Sequence, residues 1–180
     1  MPDLSRARQA PPLTEDSWLR ALPSACRWVL RGAEDVRAAA QAALGLPVPA
    51  QACRAGLSGE RAALWLGPDE WLLLAPPSQS GLASSLERSL QRLPHSLVDV
   101  SHRQVGLVVH GAAAATLLAS GCPLDLELAA FPVGMCTRTV LSKAEVVLWR
   151  TAADEFRLEV WRSFAPYVTQ FLIESARGTI

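Results

Sequence analysis

LVDVSHRQVGLVVHGAAAATLLASGCPLDL, Leu97 to Leu126, is the stretch from which the fold can be read. Val98–Val100 and Val105–Val109 are rich in Val and Leu and predict two strands. Gly111 ends the second strand. The run Ala112–Ala119 that follows holds only residues a helix favours or tolerates. Gly121 and Pro123 form a stop, because glycine accepts the left-handed conformation past a helix end and proline cannot continue the helix. The order is strand, turn, strand, glycine turn, helix, stop. It lies near the middle of the chain and joins two halves that echo each other.

Working back toward the N-terminus, Arg27–Arg31 predicts a strand ending at Gly32. A helix is predicted over 33–44, with Glu34 and Asp35 in its first turn, where the helix dipole favours negative charge. Gly45 and Pro47 stop it, and Pro47 to Gly59 reads as a loop. Arg61–Leu66 and Trp71–Ala75 are apolar runs around Gly67-Pro68-Asp69-Glu70, the chemistry of a hairpin turn. Leu82, Leu86, Leu90 and Leu93 recur at near-helical spacing before Pro94, and Val98–Val100 closes the half.

The second half repeats the plan. Leu107-Val-Val-His-Gly111-Ala-Ala-Ala echoes Trp28-Val-Leu-Arg-Gly32-Ala-Glu-Asp. Leu148-Trp149-Arg150 and Phe156–Glu159 echo Leu64-Trp65-Leu66 and Trp71–Leu74. Thr137–Leu141 and Glu145–Arg150 form a hairpin around Ser142-Lys143-Ala144. Phe156 to Trp161 alternates, with Phe156, Leu158 and Val160 on one face and Arg157, Glu159 and Trp161 on the other. Ser163 is placed to cap a last helix, with Pro166 in its first turn and Val168, Phe171, Leu172 and Ser175 on one face. The fold class is α+β: two ferredoxin-like βαββαβ-type units in tandem. Residues 1–23 read as an N-terminal arm, 24–101 as the first unit and 102–180 as the second. The arm, with Pro2, Pro11, Pro12 and Pro23, reads either as a disordered tail or as a segment that orders on a partner with Trp18 as anchor.

Composition narrows the function. The chain has 180 residues, 50% of them hydrophobic, enough for one domain or two small ones. Seventeen Lys and Arg balance seventeen Asp and Glu, and no basic run occurs, which argues against nucleic acid as partner. No signal-peptide pattern and no membrane-spanning run is found, so the expected location is the cytoplasm, with Cys26, Cys53, Cys122 and Cys136 as thiols.

The chemistry-bearing residues form no site. Ser101 and His102 are adjacent, so on a strand they point to opposite faces, and in a turn Ser101 bonds local backbone. Asp99 is expected to accept backbone N–H bonds there. His95, His102 and His110 lack metal-ligand spacing. Neither G-x-x-x-x-G-K-[ST] nor G-x-G-x-x-G occurs, and Gly106 and Gly111 read as turn or close-approach glycines. Of the six tryptophans, Trp65 and Trp149 occupy equivalent repeat positions and read as core, whereas Trp71 and Trp161 read as interface residues.

Two resemblances bear on function. Asp99-Val100-Ser101-His102, Gly106 and Val109-x-Gly111-x-x-Ala114 resemble the opening motif of the glycine-cleavage T-protein folate domain. LASGCPLDL (118–126), FPVGMCTRT (131–139) and FRLEVWRSFAPYV (156–168) are similar to the gamma-subunit family of heterotetrameric sarcosine oxidase. The T-protein family carries paired aspartates and an asparagine for folate and aminomethyl chemistry. These positions fall here on Ala144 and Glu145 and near Trp161, so that constellation is missing. The resemblance implies a chain with no catalytic, cofactor-binding or metal residues of its own, supporting assembly of a complex that oxidatively demethylates sarcosine to glycine. It implies alpha, beta and delta subunits as partners, which would hold FAD, FMN, NAD and tetrahydrofolate. The competing expectation is a free-standing folate-binding or aminomethyltransferase-like module.

Overall fold

The Leu97–Leu126 stretch keeps the predicted order of strand, turn, strand, glycine turn and helix, and its two strands belong to different sheets. The computed structural model describes residues 18–177. In chain order its elements are β1 (Leu19–Ala21), β2 (Cys26–Gly32), α1 (Glu34–Leu44), β3 (Ala55–Ser58), β4 (Arg61–Gly67), β5 (Glu70–Ala75) and α2 (Leu82–Leu90). There follow β6 (His95–Asp99), β7 (Gln104–His110), α3 (Ala114–Ala119), β8 (Cys136–Leu141), β9 (Ala144–Ala152), β10 (Glu155–Trp161) and α4 (Ala165–Ala176).

One five-stranded sheet runs β3-β4-β5-β2-β6 and the other β8-β9-β10-β7-β1. Position for position they match: β2 and β7 each precede a helix, β5 and β10 pair with them, and β6 and β1 occupy the equivalent edges. The two units are thus α+β and ferredoxin-like, each with one more strand than βαββαβ. In the first unit the extra strand is β3, inside the 47–59 segment that the sequence reads as loop. Ala55-Gly-Leu-Ser has little β-pattern, and it pairs along one side only, with β4.

The edge strand of the second unit comes from the other end of the chain. Leu19, Arg20 and Ala21 pair with Val109, Val108 and Leu107. Leu19 is fully buried in the second core, and Trp18 packs against that core. The last residues of the 1–23 arm therefore order on the chain's own second unit. Residues 1–17 lie outside the described residues.

Each sheet buries both faces. Trp28, Leu30, Trp71 and Leu73 meet Val36, Ala40, Leu86 and Leu90 of α1 and α2. Leu107, Val109, Phe156 and Leu158 meet Ala114, Leu118, Val168 and Leu172 of α3 and α4. Between the sheets lies a third cluster, with Leu64, Leu72 and Leu74 against Cys136, Val147 and Trp149. The order of layers is helices, sheet, sheet, helices. Burial on both faces is why β5 reads as the unbroken apolar run WLLLA. It also corrects the reading of Trp71: at 1% exposure it is core, its Nε1 donating to the Pro49 carbonyl at 2.7 Å. Trp149 is buried as expected, and Trp65 packs partly buried against the first core.

Helix ends depart from expectation in two places. Gly121 does not take a left-handed conformation; a Cβ there would lie 2.6 Å from the Phe171 ring, so the glycine admits α4. Ser163 does not cap α4, whose N-cap is Phe164 with no side-chain bond, although Pro166 does sit in the first turn. Gly45, in contrast, closes α1 in the left-handed form, its N–H donating to Gln41 O at 3.0 Å.

Gly111 has φ of +102°, between β7 and α3, with open space where a Cβ would stand. Gly111→Val is therefore a conformational penalty rather than a clash. It should cost about 1–3 kcal/mol, read as a lower denaturation midpoint at unchanged m-value. His95 makes a second test. Its Nδ1 donates to Leu93 O at 2.8 Å, and its Nε2 lies 3.2 Å from Glu87 on α2. The Leu93 carbonyl foremost, and then Glu87, hold the imidazolium pKa above its ordinary value. A raised folded-state pKa gives stability that is present in full below the unfolded-state value and lost as pH rises through the folded-state value. His95→Gln should therefore destabilise at about pH 5 and much less at about pH 8, measured by urea unfolding at both.

Candidate functional site

The two sheets are joined at one end and part at the other. At the joined end Arg54 bridges Met135, and Ala55 N–H donates to Gly134 O at 2.9 Å. At the middle of the contact sits a buried ion pair. Arg27 of β2 (2% exposed) donates through Nε to Glu159 Oε2 of β10 (1% exposed) at 2.5 Å. Arg157 donates to the other carboxylate oxygen, Oε1, from Nε at 2.8 Å and from Nη2 at 2.6 Å. Gly106 leaves room for this triad: a Cβ there would lie 3.2 Å from both Arg27 Nη2 and Glu159 Oε1, and 2.9 Å from Leu22 Cδ1. Its role is close approach within β7, not a turn.

Ser101 serves the same junction. It accepts from Arg27 N–H at 2.8 Å and donates to Arg27 O at 3.3 Å, while Asp99 Oδ1 accepts from Ser101 N–H at 2.8 Å. The Asp99 turn is as expected. The Ser101 hydroxyl bonds backbone too, but of a residue 74 positions away rather than a local one. His102 is exposed beside it, and no nucleophile–base pair forms.

Where the sheets part they leave a cleft of about 240 Å³. Its apolar floor includes Val29, Leu72 and Val147. Glu70 accepts from Arg138 Nη2 at 2.6 Å and lies 4.0 Å from Arg31, and Glu145 lies 3.9 Å from Arg138. Gln104, at 7% exposure, presents an Oε1 that finds no hydrogen-bond partner. At the mouth the Arg103 guanidinium stands 5.0 Å over the Trp161 ring, which meets Phe164 at 6.5 Å between centroids.

Of the positions that correspond to the folate-domain acids and amide, Glu145 and Trp161 both line this cleft, whereas Ala144 is buried in the second core. Glu70 and Glu159 are bonded to arginines, and Glu145, more exposed, has Arg138 at 3.9 Å. The volume falls below the roughly 300–1,000 Å³ of cofactor pockets. Glu145 and Trp161 were singled out by resemblance, but Arg27, Glu159, Arg103 and Gln104 were not. The clue to Arg27 and Glu159 is that the second faces of the neighbouring strands β5 and β9 are largely apolar, which means a second sheet covers them, and charges on the adjoining strands β2 and β10 must then find partners across the gap.

Cys136 lies between the sheets, and burial pushes its thiol up to about 12, so it stays protonated. Cys122 is buried as well, and all four cysteines are free thiols. Among the described residues no group of three or more His, Cys, Asp or Glu could hold a metal ion. Among them also no helix is long and apolar enough to cross a membrane.

Two βαβββα units stacked sheet to sheet define the class: an α+β protein of two ferredoxin-like units. Part of the glycine cleavage system aminomethyltransferase T from Bartonella henselae shares this fold, with a TM-score of 0.65 at 15% identity, over 88% of this chain and 46% of that one. The particular family follows from closer matches. Residues 31–177 match the model of the sarcosine oxidase, gamma subunit family, and the chain belongs to that family. The sarcosine oxidase subunit gamma of an Arthrobacter species is 37% identical over 139 residues, which are 77% of this chain and 68% of the relative. A chain of the heterotetrameric sarcosine oxidase from Corynebacterium sp. U-96, solved in complex with pyrrole 2-carboxylate, superposes with a TM-score of 0.81. It shares 33% identity, and the match covers 87% of this chain and 82% of that one.

Proposed function

We propose that this chain is the non-catalytic gamma subunit of a heterotetrameric sarcosine oxidase, working in the cytoplasm with alpha, beta and delta subunits. The complex oxidises the N-methyl group of sarcosine, releasing glycine. FAD, FMN, NAD and tetrahydrofolate are held by the other subunits, and this chain supports their assembly. The observation that carries the reading is the superposition on a chain of the Corynebacterium enzyme through nearly the whole described length. The cleft supports it: its carboxylates are engaged by arginines, which suits a scaffold better than acid–base chemistry.

The test is to express the alpha, beta and delta subunits with and without this chain. Omission should lower the yield of flavin-containing complex while sarcosine turnover per flavin in what assembles stays the same. The lone chain should give no heat on titration with tetrahydrofolate. Micromolar tetrahydrofolate binding by the lone chain, with full assembly in its absence, would replace this reading with the folate-binding module.

A further inference from the structure

We propose that the mouth of the inter-sheet cleft, built by Trp161, Phe164, Val98 and Arg103, is the face on which a catalytic partner subunit docks. The partner inserts a loop bearing a carboxylate and an N–H donor. This inference rests on the proposed function and adds the place and chemistry of the contact.

Three observations converge on it. The first is apolar surface. Trp161, Phe164 and Val98 are 40%, 40% and 50% exposed. Single exposed apolar residues are ordinary, but here two aromatic rings touch and an arginine lies over one of them. Trp and Arg at a concavity are the residues that dominate binding energy in protein interfaces.

The second is charge. Glu70 and Glu159 are each bonded to an arginine, and Glu145 has Arg138 within 4 Å. Arg103 has no carboxylate partner among the described residues, only the indole face. The uncompensated charge at the mouth is therefore positive, and an acidic group is its complement. A guanidinium already held on a ring is partly ordered, so pairing it loses less side-chain freedom.

The third is the orphan acceptor. Gln104 Oε1 is buried without a donor, a state that costs free energy unless something supplies one. Gln104 pairs with Trp161 in the β7–β10 register, so the two side chains stand side by side on the same sheet face and line the same cleft. A loop seated on Trp161 and reaching toward Arg103 can bring an N–H to it.

The test is competition for assembly. Tagged wild-type and variant chains are co-expressed with limiting alpha, beta and delta subunits, and the ratio incorporated is read by mass spectrometry. Trp161→Ala should be outcompeted about 30-fold or more. Arg103→Glu should be outcompeted too, by a factor that shrinks as salt is raised. Gln104→Leu separates docking from folding. It removes the orphan acceptor, so the lone chain should keep or gain thermal stability while its incorporation falls. Leu57→Ser, on β3 away from the cleft, should compete equally. Equal incorporation of Trp161→Ala and Arg103→Glu with wild type would overturn the docking face and leave the subunit assignment standing. Failure of the wild-type chain to enter any complex would overturn both.

Discussion

Glu159→Gln is expected to cost this protein about 3–5 kcal/mol, enough to threaten a domain of ordinary stability. The reason is asymmetry. The carboxylate receives Arg27 across the sheet interface and Arg157 along its own strand, at 1% exposure. Glutamine keeps the shape but leaves the Arg27 guanidinium, 2% exposed, facing a neutral amide between two sheets. Removing Glu159 alone strands the buried Arg27 charge, whereas removing both leaves only Arg157, 21% exposed and able to meet solvent. The double variant Arg27→Met with Glu159→Leu should therefore recover most of the loss. Urea midpoints of wild type, Glu159→Gln and the double variant decide it. A single variant within about 1 kcal/mol of wild type would mean that the pair is hydrated and does not hold the sheets together.

Arg150→Met is the second large effect. Arg150 is 4% exposed, and its guanidinium stands 4.6 Å over the Phe156 ring. Nη1 donates to Leu126 O and Phe131 O, both at 2.9 Å, and Nε donates to Ala153 O at 3.1 Å. One side chain thus satisfies three carbonyls and ties the irregular segment between α3 and β8 to the second sheet. Methionine fills much of the space and supplies no donor. At about 1–3 kcal/mol for each of the two buried carbonyls left unpaired, at Leu126 and Phe131, the loss should reach at least about 2 kcal/mol. Amide exchange should then rise over residues 122–135 and stay low in β9 and β10. Uniform exchange across the chain would show instead that the segment is not a separately tethered element.

These two residues mark where sequence reasoning ran out. Strands β2, β4, β5, β7, β9 and β10 and all four helices were legible, because glycine and proline punctuate them and their apolar residues recur at the right period. Strand β1 was not: it is three residues long, and its partner in β7 lies nearly half the chain away. Strand β3 was hidden by Gly56, which lies so close to Pro47 that a Cβ would stand 1.9 Å from the Pro47 carbonyl oxygen. Trp71 was misplaced for a different reason from Arg27 and Glu159: it lies on the helix-facing side of β5, under α1 and α2, with the Pro49 carbonyl meeting its N–H. Arg27 and Glu159 were hidden because only a second sheet turns their face of the strands into the interior. The alternation of Phe156–Trp161 was right, but its polar face is the inside of the molecule as far as Glu159 and the outside only at Trp161. The family was legible because its motifs cluster in the second unit, where Arg150 and Gly121 fix the loop that carries them.

Native mass spectrometry of the chain co-expressed with alpha, beta and delta subunits tests its proposed place as an assembly subunit of a sarcosine-oxidising complex. The expected result is a single flavin-bearing species with one copy of each subunit, from which this chain dissociates intact and without cofactor. A four-subunit mixture that leaves this chain free, or a released chain that carries a flavin or folate mass, would contradict it.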